Sequence, residues 1–428
     1  MKKFLAASLI VGNLIFMPIS HAEITSYTAK SEEIANKLES KDVLRLRAVD
    51  KAVKIASKQA FNALKSNSAL NDDEIAAIIA NTAEIEIIEY IQEKSSCNVA
   101  INFKIDDSEI KNWLKRDDRE KFTLISQNLE INKLSETNER KIEDIRKRAV
   151  KISNSQEKKF FKSEFEYLNN EFLSNQKVAE GNKFVFRGRF DDAINLYTEA
   201  IKINEYNAAA YNFRGNLYGI LAENQKNIPI AESNRRLALQ DFDKALRLNS
   251  NYADAYSNRG LLYLNAKNFS AAIKDFDKAI QIQPNIAQNY LYRAQCYRQT
   301  DKNSALNDFN KAIELQNNNP NFYFNRGKFF DQDLKDFSKA LEDYSRSIEL
   351  ETLEDALPMY FNSRGGVYRK LNLYNKAIDD YSRAISLLNE KKPLLAWIYR
   401  SRGECFKLLG DNSSSQADFK KFEELQRR

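Results

Sequence analysis

Residues Ala255–Pro284 read AYSNRGLLYLNAKNFSAAIKDFDKAIQIQP, two helical patterns separated by a polar break. Tyr256, Gly260 and Tyr263 lie on the first pattern; Phe269, Ala272, Phe276 and Ala279 lie on or beside the second. Ala272, Phe276 and Ala279 stand at i, i+4 and i+7, which is one face of a helix. Gly260, Ala272 and Ala279 are small where two helices, and the next one, must approach closely. Tyr256, Tyr263 and Phe276 fill the spaces between. Pro284 cannot continue the second helix and sets the turn that follows.

The same arrangement recurs from about Ser174 onward, at a period of roughly 34 residues. The first unit carries Gly181, Phe184, Ala193, Tyr197 and Ala200; the second carries Gly215, Tyr218, Ala238, Phe242 and Ala245. The quoted stretch is the third. The fourth has Ala294, Tyr297, Ala305, Phe309, Ala312 and Pro320; the fifth has Gly327, Phe330, Ala340, Tyr344 and Ser347. The sixth has Gly365, Tyr368, Ala377, Tyr381 and Ala384, and a degenerate seventh has Gly403, Phe406, Ala417 and Phe419. On these residues, over about the last three fifths of its length, the chain resembles the tetratricopeptide-repeat (TPR) family. The resemblance implies a mainly α protein: a right-handed TPR α-solenoid of about seven helix pairs over residues 174–428.

Two departures from the repeat are informative. Gly260 and Ala272 are 12 residues apart, whereas Gly215 and Ala238 are 23 apart. An insert of 11 residues is therefore expected between the helices of the second repeat, around Ala222–Arg236 and including Pro229. It reads either as a recognition loop or as a tolerated surface insertion. In six repeats an Arg precedes the small residue of the first helix and an Asp precedes the aromatic of the second. The pairs are Arg214/Asp241, Arg259/Asp275, Arg293/Asp308, Arg326/Asp343, Arg364/Asp380 and Arg402/Asp418. The first repeat has Glu180 and Leu196 there, so both members change together. The expectation is a ladder of structural ion pairs, within or between adjacent repeats. Lys420-Lys421, Glu423-Glu424 and Arg427-Arg428 suit a solvated capping helix.

Ahead of the repeats the chain changes character. Lys2 and Lys3, the apolar run Phe4–Met17, Pro18 and the small-residue site Ser20-His21-Ala22 predict a cleavable signal peptide over residues 1–22, cut after Ala22. Residues 23–119 read as a small α+β domain. A helix from Ser40 or Asp42 to about Lys65 carries the stripe Ala48, Ala52, Ala56, Ala60 and Ala63, suited to close packing on a sheet. Ile75, Ile78 and Ile79 follow on a short helix. Glu84–Ile87 and the alternating Val99, Ile101, Phe103 and Ile105 predict an antiparallel hairpin, and Asp106-Asp107 can cap a further helix with Ile110, Trp113 and Leu114. Residues 120–173 form a charged helical linker, with apolar spacing at Ile142, Ile145, Ala149 and Ile152 and again at Phe161, Phe165, Leu168 and Phe172. This segment reads as helices capping the solenoid, or alternatively as a self-association element.

The chemistry of catalysis is thin. His21 is the only histidine and lies in the expected signal, so Ser-His, Cys-His and His-zinc sites are excluded from a mature chain. There is no Walker loop and no GxGxxG. Matches to SxxK at Ser108, Ser155 and Ser174 lack companion motifs. Cys97, Cys296 and Cys405 have no metal spacing and read as buried free thiols or, alternatively, one disulfide with a free thiol left over. Neither an enzyme nor a cofactor is expected. Removing Lys2 and Lys3 lowers the formal net charge from +6 to +4, too mild to argue for nucleic acid. No apolar run after the signal is long enough for a stable membrane span.

The expected function is therefore that of a periplasmic or secreted scaffold. The TPR resemblance implies that first helices line a concave groove holding a protein or peptide partner. Residues 120–173 leave open the alternative of a structural homo-oligomer or tether. By the resemblance, the groove takes Asn182, Asn212, Asn216, Ser257, Asn258, Gln288, Gln295, Arg298, Asn325, Lys328, Asn362, Arg369, Arg400 and Lys407. Asparagine offers a donor and an acceptor to an extended backbone. Asn216 and Asn258 match the two asparagines of carboxylate-clamp TPRs, but Asn212, Gln288 and Tyr292 stand where that clamp has basic residues. The groove is expected to grow basic toward Arg298, Lys328, Arg369, Arg400 and Lys407, which suits an acidic or phosphate-bearing partner.

Overall fold

A computed structural model describes residues 24–34, 41–67, 83–92, 96–106, 155–351, 356–388 and 393–427, with single residues between 72 and 79 and between 137 and 141. The expected signal peptide, the helix after Asp106 and the stripe at Ile142–Ile152 lie outside the described residues.

The N-terminal unit contains three strands, β1 (Ile24–Ile34), β2 (Glu84–Gln92) and β3 (Ser96–Asp106), and one long helix, α1 (Lys41–Asn67). The expected β2–β3 hairpin is present, with Ile85 opposite Phe103 and Ile87 opposite Ile101. β1 was not anticipated: it pairs antiparallel along the other edge of β3, giving the order β1-β3-β2. Its mixed sequence, ITSYTAKSEEI, shows no clean alternation, and its pairing is long-range. Ala48, Ala52, Ala56 and Ala60 are fully buried beside Ile101 and Phe103. A side chain larger than methyl on that stripe would hold α1 off the sheet. Ala63, at the end of the stripe, is only half-buried.

A 32-residue helix begins at Ser155. This helix, α2 (Ser155–Phe186), runs through the expected boundary at 173/174 and supplies the first helix of the first repeat. Leu168 and Phe172 are buried on it, as their spacing implied. The remaining helices are α3 (Phe190–Ile203), α4 (Ala208–Asn224), α5 (Ile228–Leu248), α6 (Ala253–Asn265), α7 (Phe269–Ile282), α8 (Ala287–Tyr297), α9 (Lys302–Leu315), α10 (Pro320–Phe329), α11 (Phe337–Leu350), α12 (Leu357–Lys370), α13 (Tyr374–Leu387), α14 (Pro393–Leu408) and α15 (Asn412–Gln426). Each even-numbered helix pairs with the odd one after it, so seven helix pairs stack into an α-solenoid.

The small residues do what the pattern required. A Cβ on Gly260 would lie 2.9 Å from the Phe276 ring, and one on Gly327 2.9 Å from the Tyr344 ring. The alanines paired with those rings, Ala272, Ala279 and their counterparts, are fully buried. Seven residues past the small residue the chain takes a left-handed conformation that closes the first helix, at Gly188, Lys267, Asn372 and Gly410. In the fifth repeat this residue comes one position later, at Lys335. The distance from Gly327 to Ala340 is 13 residues, one more than in the third repeat. The extra residue is taken up by a π-helical turn, Phe330–Leu334.

The second repeat corrects an expectation. Its insert is not a loop. α4 has 17 residues where α6 has 13, and α5 has 21 where α7 has 14, which accounts for all 11 inserted residues. Only residues 225–227 connect the two helices. Asn227 accepts a hydrogen bond from the Ile230 amide, and Pro229 sits in the first turn of α5, where a missing N–H costs nothing. Cap and proline together start the helix early, and Ile228 and Ile230 are exposed at its tip. In the seventh repeat the close-packed position is Ser415, buried 12 residues after Gly403, and not Ala417, which is exposed.

Both ends of the stack are marked by one residue. Second after the small residue stand Leu217, Leu262, Cys296, Phe329, Val367 and Cys405, all buried; Leu262 packs on Ala238 and Phe242 of the preceding repeat. The first repeat has Lys183 there, half-buried. At the other end, the position of Ala200, Ala245, Ala279, Ala312, Ser347 and Ala384 is filled by Phe422, whose ring meets that of Trp397 at 5.5 Å. A charge at one end and a bulky ring at the other replace the surfaces that a neighbouring repeat would need. Cys296 and Cys405 are buried free thiols; burial pushes the first up to about 12 and the second to about 11.

Candidate interaction face

Two polar rows run along the first helices, one on each side of the small residue. The row before it is the Arg ladder. All six expected pairs form, and each is bidentate: Nε and Nη2 of the arginine donate to the two carboxylate oxygens at 2.7–2.8 Å. The aspartate side chains are 5–8% exposed and the arginines 16–21%. The hydrogen bonds that Arg259 donates to Asp275, and Arg293 to Asp308, hold both arginines above the usual arginine range.

The remaining nitrogen of each arginine goes further. Nη1 donates to the second helix of the preceding repeat: Arg214 to Thr198, Arg259 to Asp243, Arg293 to Asp277, Arg326 to Asn310, Arg364 to Ser345 and Arg402 to Ser382. Each acceptor directly follows the aromatic of its repeat. The signal was present in the sequence as a short polar residue at that position, replaced in the last repeat by Lys420. One arginine thus ties three helices together, and aromatic rings at its flank, such as Tyr256 beside Arg259, cover it.

The row after the small residue reads Asn182, Asn216, Leu261, Gln295, Lys328, Gly366 and Glu404. Together with its neighbours it contains most residues expected in the groove, and the structure shows many of them bonded to one another. Asn182 accepts from the Tyr197 hydroxyl at 2.5 Å. Asn212 is buried, donates to the Tyr252 hydroxyl and accepts from Asn258 at 3.1 Å. Ser257 donates to Asn289, and Gln295 to Asn325, whose own amide is held by Asn321. The Asn258–Asn212, Ser257–Asn289 and Gln295–Asn325 bonds stitch successive first helices, so Asn212, Asn258 and Asn325 are structural before they are available to a partner. Asn258, one of the two clamp-like asparagines, is among them. Gln288 is buried.

The basic character expected toward the C-terminus is largely neutralised. Arg298 is held by Asp333 of the π turn at 2.5 Å, and Arg369 and Arg400 converge on Glu404. Asp331 of the same turn takes Lys370 at 2.6 Å. Those acids come from the π turn and from Glu404, which sequence spacing did not connect to the arginines.

Four expected residues keep unused capacity. Asn216 has a buried Nδ2 with no hydrogen-bond partner. Asn362 is half-buried, Lys407 is exposed and Lys328 is half-buried. Lys328 makes no ion pair among the described residues; its ammonium lies 5.6 Å from the centre of the Phe324 ring. Burial, and next the charge of Arg298, hold its pKa below the usual lysine range. At the equivalent position of the next repeat, a Cβ on Gly366 would have the Tyr381 hydroxyl, at 4.0 Å, as its nearest neighbour outside its own helix. Among the described residues no group of His, Cys, Asp and Glu could hold a metal, and no helix is long and apolar enough to cross a membrane.

Models of the tetratricopeptide repeat match residues 253–286 and 181–219. The chain carries tetratricopeptide repeats. RNA polymerase II-associated protein 3 of Xenopus laevis is 34% identical over 89 residues, covering 21% of this chain and 12% of that protein; the human protein is 35% identical over 81 residues, 19% and 10%. The chain thus spans about a tenth of the length of these curated relatives. Among solved structures, MamA aligns with a TM-score of 0.36 at 23% identity, over 41% of this chain and 92% of its own. A TPR protein from Parabacteroides merdae aligns at 0.44 and 16%, over 59% and 93%. YrrB, described as a TPR protein with an unusual peptide-binding site, aligns at 0.35 and 22%, over 47% and 95%. Proteins with tetratricopeptide repeats are generally protein-interaction scaffolds.

Proposed function

We propose that this chain is an exported TPR scaffold that holds an extended segment of a protein partner along its first-helix face. The observation that carries the reading is Asn216. Its amide is buried yet lacks an acceptor, in a row whose other amides are bonded. A buried donor left unpaired costs about 1–3 kcal/mol, and a backbone carbonyl of a bound segment would supply the missing bond. Lys2, Lys3, the apolar run to Met17 and Ser20-His21-Ala22 support export, with a mature chain from Glu23 to the periplasm or the exterior.

The test is a pull-down from envelope extract with the mature chain beside an Asn216→Ala/Asn362→Ala variant. Both residues lie outside the internal network, so the variant keeps its fold by circular dichroism. A partner retained by the wild type and lost by the variant supports the reading. A partner held equally by both places the site elsewhere. The N-terminal sequence of the protein recovered from cells checks export: a start at any residue before Glu23 sinks that part.

A further inference from the structure

We propose that the edge of the solenoid formed by the turns of its last three repeats is a docking surface for an anionic lipid membrane. The inference goes beyond the groove reading and uses a different part of the molecule.

The edge is built from the turns that join the two helices of one repeat. Leu334 in the fifth repeat, Leu371 in the sixth and Leu409 in the seventh hold the same place. Each directly precedes the left-handed residue that closes the first helix: Lys335, Asn372 or Gly410. Leu373 and Leu408 stand next to these positions, and all five leucines are exposed. The turn itself does not require an apolar residue, because the first and third repeats close with Arg187 and Ala266 at that place. Nor are exposed aliphatics scattered over the repeats. Among the described residues, the other exposed leucine or isoleucine side chains of the solenoid are Ile228 and Ile230, at the same kind of turn in the second repeat. Single exposed apolar residues are ordinary; a row of them confined to one edge marks an interaction surface.

Ion pairs hold the three turns side by side. Lys370, adjacent to Leu371, reaches Asp331 of the π turn at 2.6 Å. Arg369 reaches Glu404, one helical turn before Leu408. Asp333 and Asp336 are also engaged, by Arg298 and Lys339, and Asp411 accepts from the Ser414 amide as the cap of α15. The charge left over is positive. Lys335, Lys376 and Lys407, one in each of these repeats, are exposed and form no ion pair among the described residues.

This chemistry decides between occupants. The leucines sit on successive turns about 10 Å apart, each with a lysine close in sequence. A bilayer yields around such tips: the leucines enter the headgroup boundary while the lysines meet lipid phosphates. A second copy laid edge to edge would bring the same three lysines together, and like charges oppose that pairing.

The experiment is co-sedimentation of the mature chain with vesicles of equal parts phosphatidylethanolamine and phosphatidylglycerol, beside vesicles of phosphatidylcholine alone. Binding to the anionic vesicles is expected to be at least about tenfold tighter, and to weaken as salt rises. A variant with Leu371→Ser, Leu373→Ser, Leu408→Ser and Leu409→Ser should lose about tenfold or more of that binding. These side chains are exposed, so the variant keeps its circular dichroism spectrum. A variant with Lys335→Gln, Lys376→Gln and Lys407→Gln should bind the two kinds of vesicle alike. Tyr206→Ser with Met359→Ser removes exposed apolar groups away from this edge and should bind as the wild type does. So should Asn216→Ala with Asn362→Ala, which makes failure of the groove reading and failure of this one distinguishable. A chain left in the supernatant by anionic vesicles, equal sedimentation with both kinds, or undiminished sedimentation of the serine variant would overturn the inference. Equal losses in the serine variant and the Tyr206/Met359 control would overturn it too. A dimer in solution that the serine substitutions dissociate would assign the edge to a second copy instead.

Discussion

Arg259 and Leu261 flank the same glycine, Gly260, and the two rows they belong to behave differently. The arginine row repeats one residue six times and engages it the same way six times: two bonds to its own second helix, one to the helix before. The other row passes from Asn216 through Leu261, Gln295 and Lys328 to Gly366 and Glu404, and leaves donors over at two of these. Polar groups that recur in strict register are architecture. Those that vary from repeat to repeat, and are incompletely bonded, are where one partner can be told from another.

The contrast can be broken most sharply in the ladder. Asp308→Ala would leave Arg293 largely buried without its main counter-charge and should cost about 3 kcal/mol, read from the urea midpoint by circular dichroism; Arg293→Met with Asp308→Leu should recover most of it. A loss below about 0.5 kcal/mol, the scale of an exposed pair, would reduce the ladder to decoration. Two adjacent glycines come next. Gly365→Ala places a Cβ 3.0 Å from the Tyr381 ring and should destabilise by about 1–3 kcal/mol. Gly366→Ala meets open space and should gain about 0.5–1 kcal/mol from helix propensity; equal melting shifts for the two would contradict the packing described.

A smaller effect has the opposite sign. Asn216→Leu removes an unpaired buried donor, imitates Leu261 of the next repeat, and should stabilise the fold by about 1 kcal/mol while lowering partner capture. A variant that is both less stable and fully competent in binding would reverse the division between the rows. Least of all, Ser382→Ala deletes one neutral acceptor of Arg402 and should cost about 0.5 kcal/mol, within reach of careful calorimetry.

Much of this was legible before any coordinates. The seven pairs, the close-packed small residues and all six Arg–Asp partners follow from register alone, because each depends on contacts within one short unit. Three things were not. The insert near Pro229 was placed between the helices, as a recognition loop or a surface insertion, because proline and asparagine suggest turns, yet at the first turn of a helix the same residues start one. β1 was missed because its partner strand lies some seventy residues on, beyond the reach of any local pattern. The groove cations were read as free because Asp331, Asp333 and Glu404 belong to other units, and the π turn that presents two of them arises from a single extra residue after Gly327.

The arginine that joins three helices also determines how the molecule responds to tension. When the ends of the solenoid are pulled apart, its cross-repeat contacts bear load in series. The contacts at Asp243 and Asp277 are charge-assisted, about twice as strong as neutral ones on the acceptor side, whereas Ser345 and Ser382 offer only hydroxyls to Arg364 and Arg402. A stretched chain should therefore give way first at its last two junctions and at the first, where Arg214 also meets a hydroxyl, that of Thr198, and keep its middle repeats assembled, behaving as a spring whose softest coils lie at its two ends.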